Sequence, residues 1–154
     1  MQTLIGGDAE AMGLLPEKLK EHGIRRAIPL KVSGPFHTPL MEQARLELSK
    51  VLAAIDFRDP KKPVYSNVTG AQVGSGEEAR SRCLEQLVST VMWTREEESL
   101  LSEGYTQLVE AGPGTVLAGL WKSYAKSAGI EKPYVEAGGT AEEIAALEGD
   151  HHAS

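Results

Sequence analysis

One cysteine, Cys83, is all that 154 residues contain, which excludes an intramolecular disulfide and fits a reducing compartment. Aromatic residues make up only 5%, so aliphatic side chains must build most of any core. No basic run exceeds the pairs Arg25-Arg26 and Lys61-Lys62, and the net charge is −6; this excludes the charge pattern of a nucleic-acid binder. No apolar stretch approaches the ~18 residues of a membrane span, and no secretory leader pattern is present. The expectation is a cytoplasmic chain with no membrane partner. A nucleophile motif is missing too. None of the serines stands in a G-x-S-x-G elbow, where flanking glycines permit the strained turn. Gly74-Ser75-Gly76 comes nearest, but it reads as a loop ahead of a helix. Cys83 lies mid-helix and reads as a packed, inert thiol. Internal repeats and low-complexity segments are also absent.

What is present is an alternation of strands and helices. Asp8 caps a helix running from about Ala9 to His22, with Gly23 as its stop and Pro16 as a break or restart. Ala27-Ile28-Pro29-Leu30-Lys31-Val32 reads as a strand, and Thr3-Leu4-Ile5 as a shorter one. Thr38 and Pro39 open the clearest amphipathic helix, with Leu40, Ala44, Leu48, Val51, Leu52 and Ile55 on one face. Val64-Tyr65-Ser66 is a short strand leading to the loop Asn67-Val68-Thr69-Gly70. A helix follows from Ser75 to about Val88, and another from Thr94, with Glu97 at capping-box spacing, to Gly104. Tyr105 to Glu110 reads as a strand. The next helix places Val116, Leu117, Leu120, Trp121 and Tyr124 on one side. Tyr134-Val135-Glu136 is a strand, Thr140 to Leu147 a last helix, and Gly149 to Ser154 a frayed tail. The pattern predicts an α/β fold with a mostly parallel sheet and flanking helices.

The segment Ser33-Gly34-Pro35-Phe36-His37-Thr38-Pro39-Leu40-Met41 carries most chemical interest. It sets a histidine at a strand–loop–helix junction, between two prolines that fix their own backbone angles. A neutral imidazole there could take a proton from a hydroxyl or thiol. It could equally cap the helix or fill the loop. Gly112-Pro113-Gly114 turns a strand into a helix, a place where backbone N–H groups can hold an anion. Lacking a further glycine pattern or a lysine, it reads better as a tight turn, as does Gly6-Gly7. His151-His152 has no patterned third ligand, so no metal site is expected.

Several stretches together resemble the malonyl-CoA:acyl carrier protein transacylase family, and specifically its C-terminal half. They are Leu4 to Ala11, Arg26 to Met41, Phe57-Arg58-Asp59-Pro60, Val64 to Gly70, Trp93-Thr94 and Val109 to Leu120. Their order and spacing match as well. The resemblance implies a ping-pong acyl transfer in fatty acid biosynthesis. A serine takes malonyl from coenzyme A and passes it to the phosphopantetheine thiol of acyl carrier protein. His37 falls on the family's catalytic histidine, and Phe36 on the position that favours malonyl by filling space. Met92 is assigned the backbone carbonyl that orients the histidine. Asn67 falls in a loop near the family's active site. The implied partners are malonyl-CoA and acyl carrier protein, with no cofactor and no metal.

The family's serine elbow, oxyanion-hole glutamine and carboxylate-binding arginine have no counterpart here. The chain is therefore expected to hold the histidine half of the site and to be inactive alone, with a separate N-terminal half as a further partner. A non-catalytic carrier-protein-binding fragment and an inactive remnant are the alternative readings. By resemblance, 1–32 is a remnant of a small ferredoxin-like subdomain, 33–150 is part of the large α/β subdomain, and 151–154 is a tail.

Overall fold

The computed structural model describes residues 3–105, 107–130, 134–140 and 142. The chain divides between Trp93 and Thr94 into two compact units. This is a division by packing, separate from the subdomain boundary that the resemblance implies between 32 and 33.

The N-terminal unit begins with helix α1, Ala9–Glu21. The Asp8 carboxylate accepts from the N–H groups of Glu10 and Ala11 at 2.9 and 3.3 Å, satisfying donors that the first turn leaves without helical partners. Gly23, at φ 78°, supplies the left-handed residue that ends the helix. Pro16 does not break it: α1 is continuous through that residue. The proline removes one amide donor from the helical ladder, and the helix runs on to Glu21 regardless.

The strand expected over 27–32 does not form. Ile28, Leu30 and Val32 alternate as a strand would, yet they are 64%, 59% and 65% exposed, and no ladder partner faces them among the described residues. Leu4 and Ile5 likewise form no strand. Alternation supplies an apolar row, but only a neighbouring strand turns it into a sheet.

Beyond that segment, Thr38 caps a single 3-10 turn, Pro39–Met41, that leads into helix α2, Glu42–Leu52. Strand β1, Tyr65–Ser66, pairs antiparallel with β2, Ala71–Gln72, through a turn completed by Gly70 at φ 71°. Helix α3, Gly76–Gln86, packs against α2. Its start is fixed twice, by Ser75 Oγ accepting from the Glu78 N–H at 3.1 Å and by Asp59 Oδ1 accepting from the Gly76 N–H at 2.9 Å. A Cβ at residue 76 would overlap the Phe57 carbonyl; here only glycine fits.

Helix α4, Trp93–Ser102, starts at the boundary between the two units and runs on into the C-terminal one, so Thr94 lies inside it and is not its cap. Strand β3, Gln107–Ala111, pairs in parallel with β4, Tyr134–Gly138, and helix α5, Val116–Ser127, packs on both. The buried stripe of α5 is Ala118, Trp121 and Ala125, whereas Val116 is 72% exposed. The face is therefore rotated from the expected one: Trp121 is common to both, but Ala118 and Ala125 are buried where Val116 and Leu117 are exposed. Among the described residues the parallel pairing is confined to these two strands. Most of the expected last helix, and all of the tail at 151–154, lie outside the described residues.

Candidate functional site

His37 stands out first by its backbone. At φ 62° it is the one residue other than glycine with positive φ among those described. L-residues adopt this region at a cost of roughly 1–2 kcal/mol, and such positions persist only where surrounding contacts fix them. Here those contacts come from the C-terminal end of α3. The His37 N–H donates to the Leu87 carbonyl at 3.1 Å. Nδ1 of the ring lies 2.8 Å from the Gln86 carbonyl. The last carbonyls of a helix have no helical donors, and two neighbouring ones are met by one histidine. Thr38 locks the loop from the other side: its hydroxyl donates to the Pro35 carbonyl at 2.7 Å and accepts from the Leu40 N–H at 3.3 Å.

The consequence for the ring is direct. With Nδ1 engaged by a carbonyl, Nε2 is the nitrogen left to exchange a proton, and no partner reaches it among the described residues. The imidazole is exposed. Beside it, the Phe36 side chain is 48% exposed, with its ring edge over Gly34. Gly6 closes on the same loop, since a Cβ there would lie 3.1 Å from the Thr38 methyl and 3.6 Å from the Phe36 carbonyl. The Gly6-Gly7 turn is thus a packing contact of the His37 loop.

Met92 does not supply the orienting carbonyl; Gln86 makes that contact. Met92 instead donates its backbone N–H to the Asn67 carbonyl at 2.6 Å, tying the β1–β2 turn to the segment ahead of α4. Gln86 was not legible in the sequence: wherever α3 ends near 86–88, several of its last carbonyls lack helical donors, and nothing in the residue order says which of them meets the ring. The helix ends at Gln86, and that carbonyl is left to the ring.

The other candidates resolve as structure. Ser75 is a helix cap. Cys83 is exposed, not packed. At the turn of Gly112-Pro113-Gly114 the helix N-terminus is already occupied. Glu110 Oε1 accepts from the Leu117 N–H at 3.1 Å and Oε2 from the Ala118 N–H at 2.8 Å. That carboxylate fills the place an external anion would take. No metal-binding cluster occurs among the described residues, and no described helix is long and apolar enough to cross a membrane. His151 and His152 lie outside the described residues.

No protein-family model matches the chain. Individual proteins do. The malonyl CoA-acyl carrier protein transacylase of Bacillus subtilis (strain 168) is 43% identical over 121 residues, covering 79% of this chain and 38% of that protein. The solved malonyl-CoA:acyl carrier protein transacylase of Xanthomonas oryzae pv. oryzae superposes with a TM-score of 0.81 at 35% identity, over 92% of this chain and 43% of that one. A malonyl-transacylase, PlMCAT, solved in complex with the type II PKS acyl-carrier protein AntF, superposes with a TM-score of 0.78 at 38% identity, over 93% of this chain and 45% of that one. The chain thus spans about two fifths of the length of the relatives it matches. In sequence and in its partial α/β fold, it belongs to the malonyl CoA-acyl carrier protein transacylase family as a part-length member.

Proposed function

We propose that this chain supplies the general-base half of a malonyl transfer from coenzyme A to acyl carrier protein. It corresponds to the C-terminal portion of the family's fold. The carrying observation is the orientation of His37: a backbone carbonyl 2.8 Å from Nδ1 leaves Nε2 as the working nitrogen.

In the first half-reaction Nε2 takes the proton of a serine hydroxyl as its oxygen attacks the malonyl thioester carbon. The tetrahedral centre collapses and the carbon–sulfur bond breaks. Coenzyme A leaves with the proton that Nε2 returns. In the second, Nε2 takes the proton of the phosphopantetheine thiol, sulfur attacks the malonyl ester, and the serine recovers its proton as it leaves. The Gln86 carbonyl accepts from Nδ1–H throughout and stabilises the imidazolium that forms at each step. Phe36, beside the histidine, narrows the space around the acyl group and favours malonyl over α-branched chains. Malonyl-CoA and the carrier-protein thiol are substrates, and the reaction so written uses no cofactor or metal. A cytoplasmic setting accords with a lone exposed thiol.

The serine belongs to residues outside this chain. The chain alone is therefore expected to show no malonyl transfer. Mixing it with a polypeptide carrying the serine elbow of a relative is expected to restore transfer to acyl carrier protein. His37→Ala should then lower the rate on the order of 10²–10⁴-fold. An unchanged rate in the His37→Ala mixture would remove His37 from the chemistry.

A further inference from the structure

The Gln86 side chain reaches the same ring nitrogen as its own carbonyl. Its terminal amide nitrogen lies 3.1 Å from His37 Nδ1, while the backbone oxygen lies 2.8 Å from it. Nδ1 carries either one hydrogen or one lone pair, never both. A carbonyl oxygen needs the hydrogen, and an amide N–H needs the lone pair. The two contacts as drawn are incompatible. If Nδ1 were bare, its lone pair would face the carbonyl lone pairs at 2.8 Å, which is repulsive at that distance. Rotating the terminal amide by half a turn exchanges its oxygen and nitrogen at nearly the same positions. Both oxygens of Gln86 then accept from a single Nδ1–H in a three-centre hydrogen bond.

We infer that the Gln86 side chain is a second positioning group for His37: its amide oxygen joins the backbone carbonyl of the same residue in holding the ring in the Nδ1–H tautomer. Neutral imidazole has two tautomers, and the hydrogen bond at one nitrogen decides which nitrogen remains basic. A backbone carbonyl alone fixes one contact and leaves the ring to rock about it. A second oxygen on the same hydrogen restricts that motion and disfavours the tautomer in which Nε2 carries the hydrogen and is useless as a base. Both oxygens come from one residue at the end of α3, so helix position, ring orientation and tautomer are set together. The inference rests on reading His37 as the base, but its test reads the ring itself and no activity. Failure of one leaves the other standing.

The experiment is long-range proton–nitrogen correlation NMR on the nitrogen-15-labelled chain, in buffer alkaline enough for neutral rings to be read. The His37 signals are assigned by their loss in His37→Ala. The wild-type ring is expected as mainly the Nδ1–H tautomer. Gln86→Met keeps the length of the side chain and removes its oxygen; it is expected to raise the ratio of Nε2–H to Nδ1–H about fivefold, the effect of one ordinary hydrogen bond. Gln86→Glu restores a side-chain oxygen and is expected to return the wild-type tautomer. A wild-type ring that is mainly Nε2–H overturns the inference, as does an unchanged ratio in Gln86→Met. Circular dichroism checks that each variant folds. If Gln86→Met does not fold, Gln86→Glu decides alone, and loss of Nδ1–H in it overturns the inference.

Discussion

Residue 37 joins two demands that separate substitutions can pull apart. Its backbone sits at φ 62°, and its ring reaches the end of α3. His37→Ala and His37→Gly both delete the ring. Only glycine accepts this φ without a Cβ clash, so the glycine variant is expected to be the more stable of the two by about 1 kcal/mol, even though glycine gains entropy when unfolded. Paired urea melts of the two variants measure this; an alanine variant at least as stable as the glycine one would mean that the loop relaxes out of the left-handed region. At this scale the sequence showed the histidine and its flanking prolines but not its backbone strain. It also missed Gln86. A helix C-terminus leaves several carbonyls without donors, and which of them meets a ring depends on the last helical residue, where sequence reading is least sharp.

Helix α3 carries the site's support, and its own start is the place to disturb it. Gly76→Ala would drive a Cβ into the Phe57 carbonyl and is expected to cost about 3 kcal/mol by overpacking, read as a lowered thermal midpoint, together with loss of the His37 tautomer signal. The same helix holds Glu78 and Glu85 below the ordinary carboxylate value of 4.5. For Glu78 the causes are the Gly74 N–H and then Arg82; for Glu85 they are Arg82 and then Ser81. A carboxyl lowered in the fold stabilises it above the unfolded value, and that contribution is lost as pH falls through the lowered one. In α4, burial pushes Glu96 the other way, above 4.5. Its contribution is present below the unfolded value and disappears as pH rises through the raised one. Amide protection, corrected for the intrinsic pH dependence of exchange, is therefore expected to fall in α3 below about pH 4.5 while that of α4 holds or rises. Glu78→Gln should flatten the first response and Glu96→Gln should remove the second. Parallel behaviour of the two helices would contradict both assignments. The caps of α1 and α3 were legible because a short polar side chain beside an apolar run has one good use. The buried stripe of α5 was not, since alanine gives no sign in sequence of which side it faces.

At the scale of the whole molecule the missing strand at 27–32 is the informative failure. Ile28, Leu30 and Val32 have the period of a strand and the exposure of a surface loop. Leu4 at 78% and Ile5 at 50% exposure add to the apolar surface of the same unit. Period was legible; whether a neighbouring strand buries the row was not, because alternation carries no information about a partner. Exposed apolar rows of this kind drive self-association and bind hydrophobic dyes. The chain is expected to enhance the fluorescence of such a dye while still showing native-like melting, and to associate as its concentration rises. The double substitution Leu30→Lys and Val32→Lys places like charges on the row. It should reduce dye binding and light scattering together, and leave the stability of the isolated chain within about 0.5 kcal/mol of the original, as exposed changes do. A marked fall in stability would show instead that these side chains are packed in solution. Loss of dye binding without loss of association would place the sticky surface elsewhere, with Val116 at 72% exposure on α5 the next site to charge.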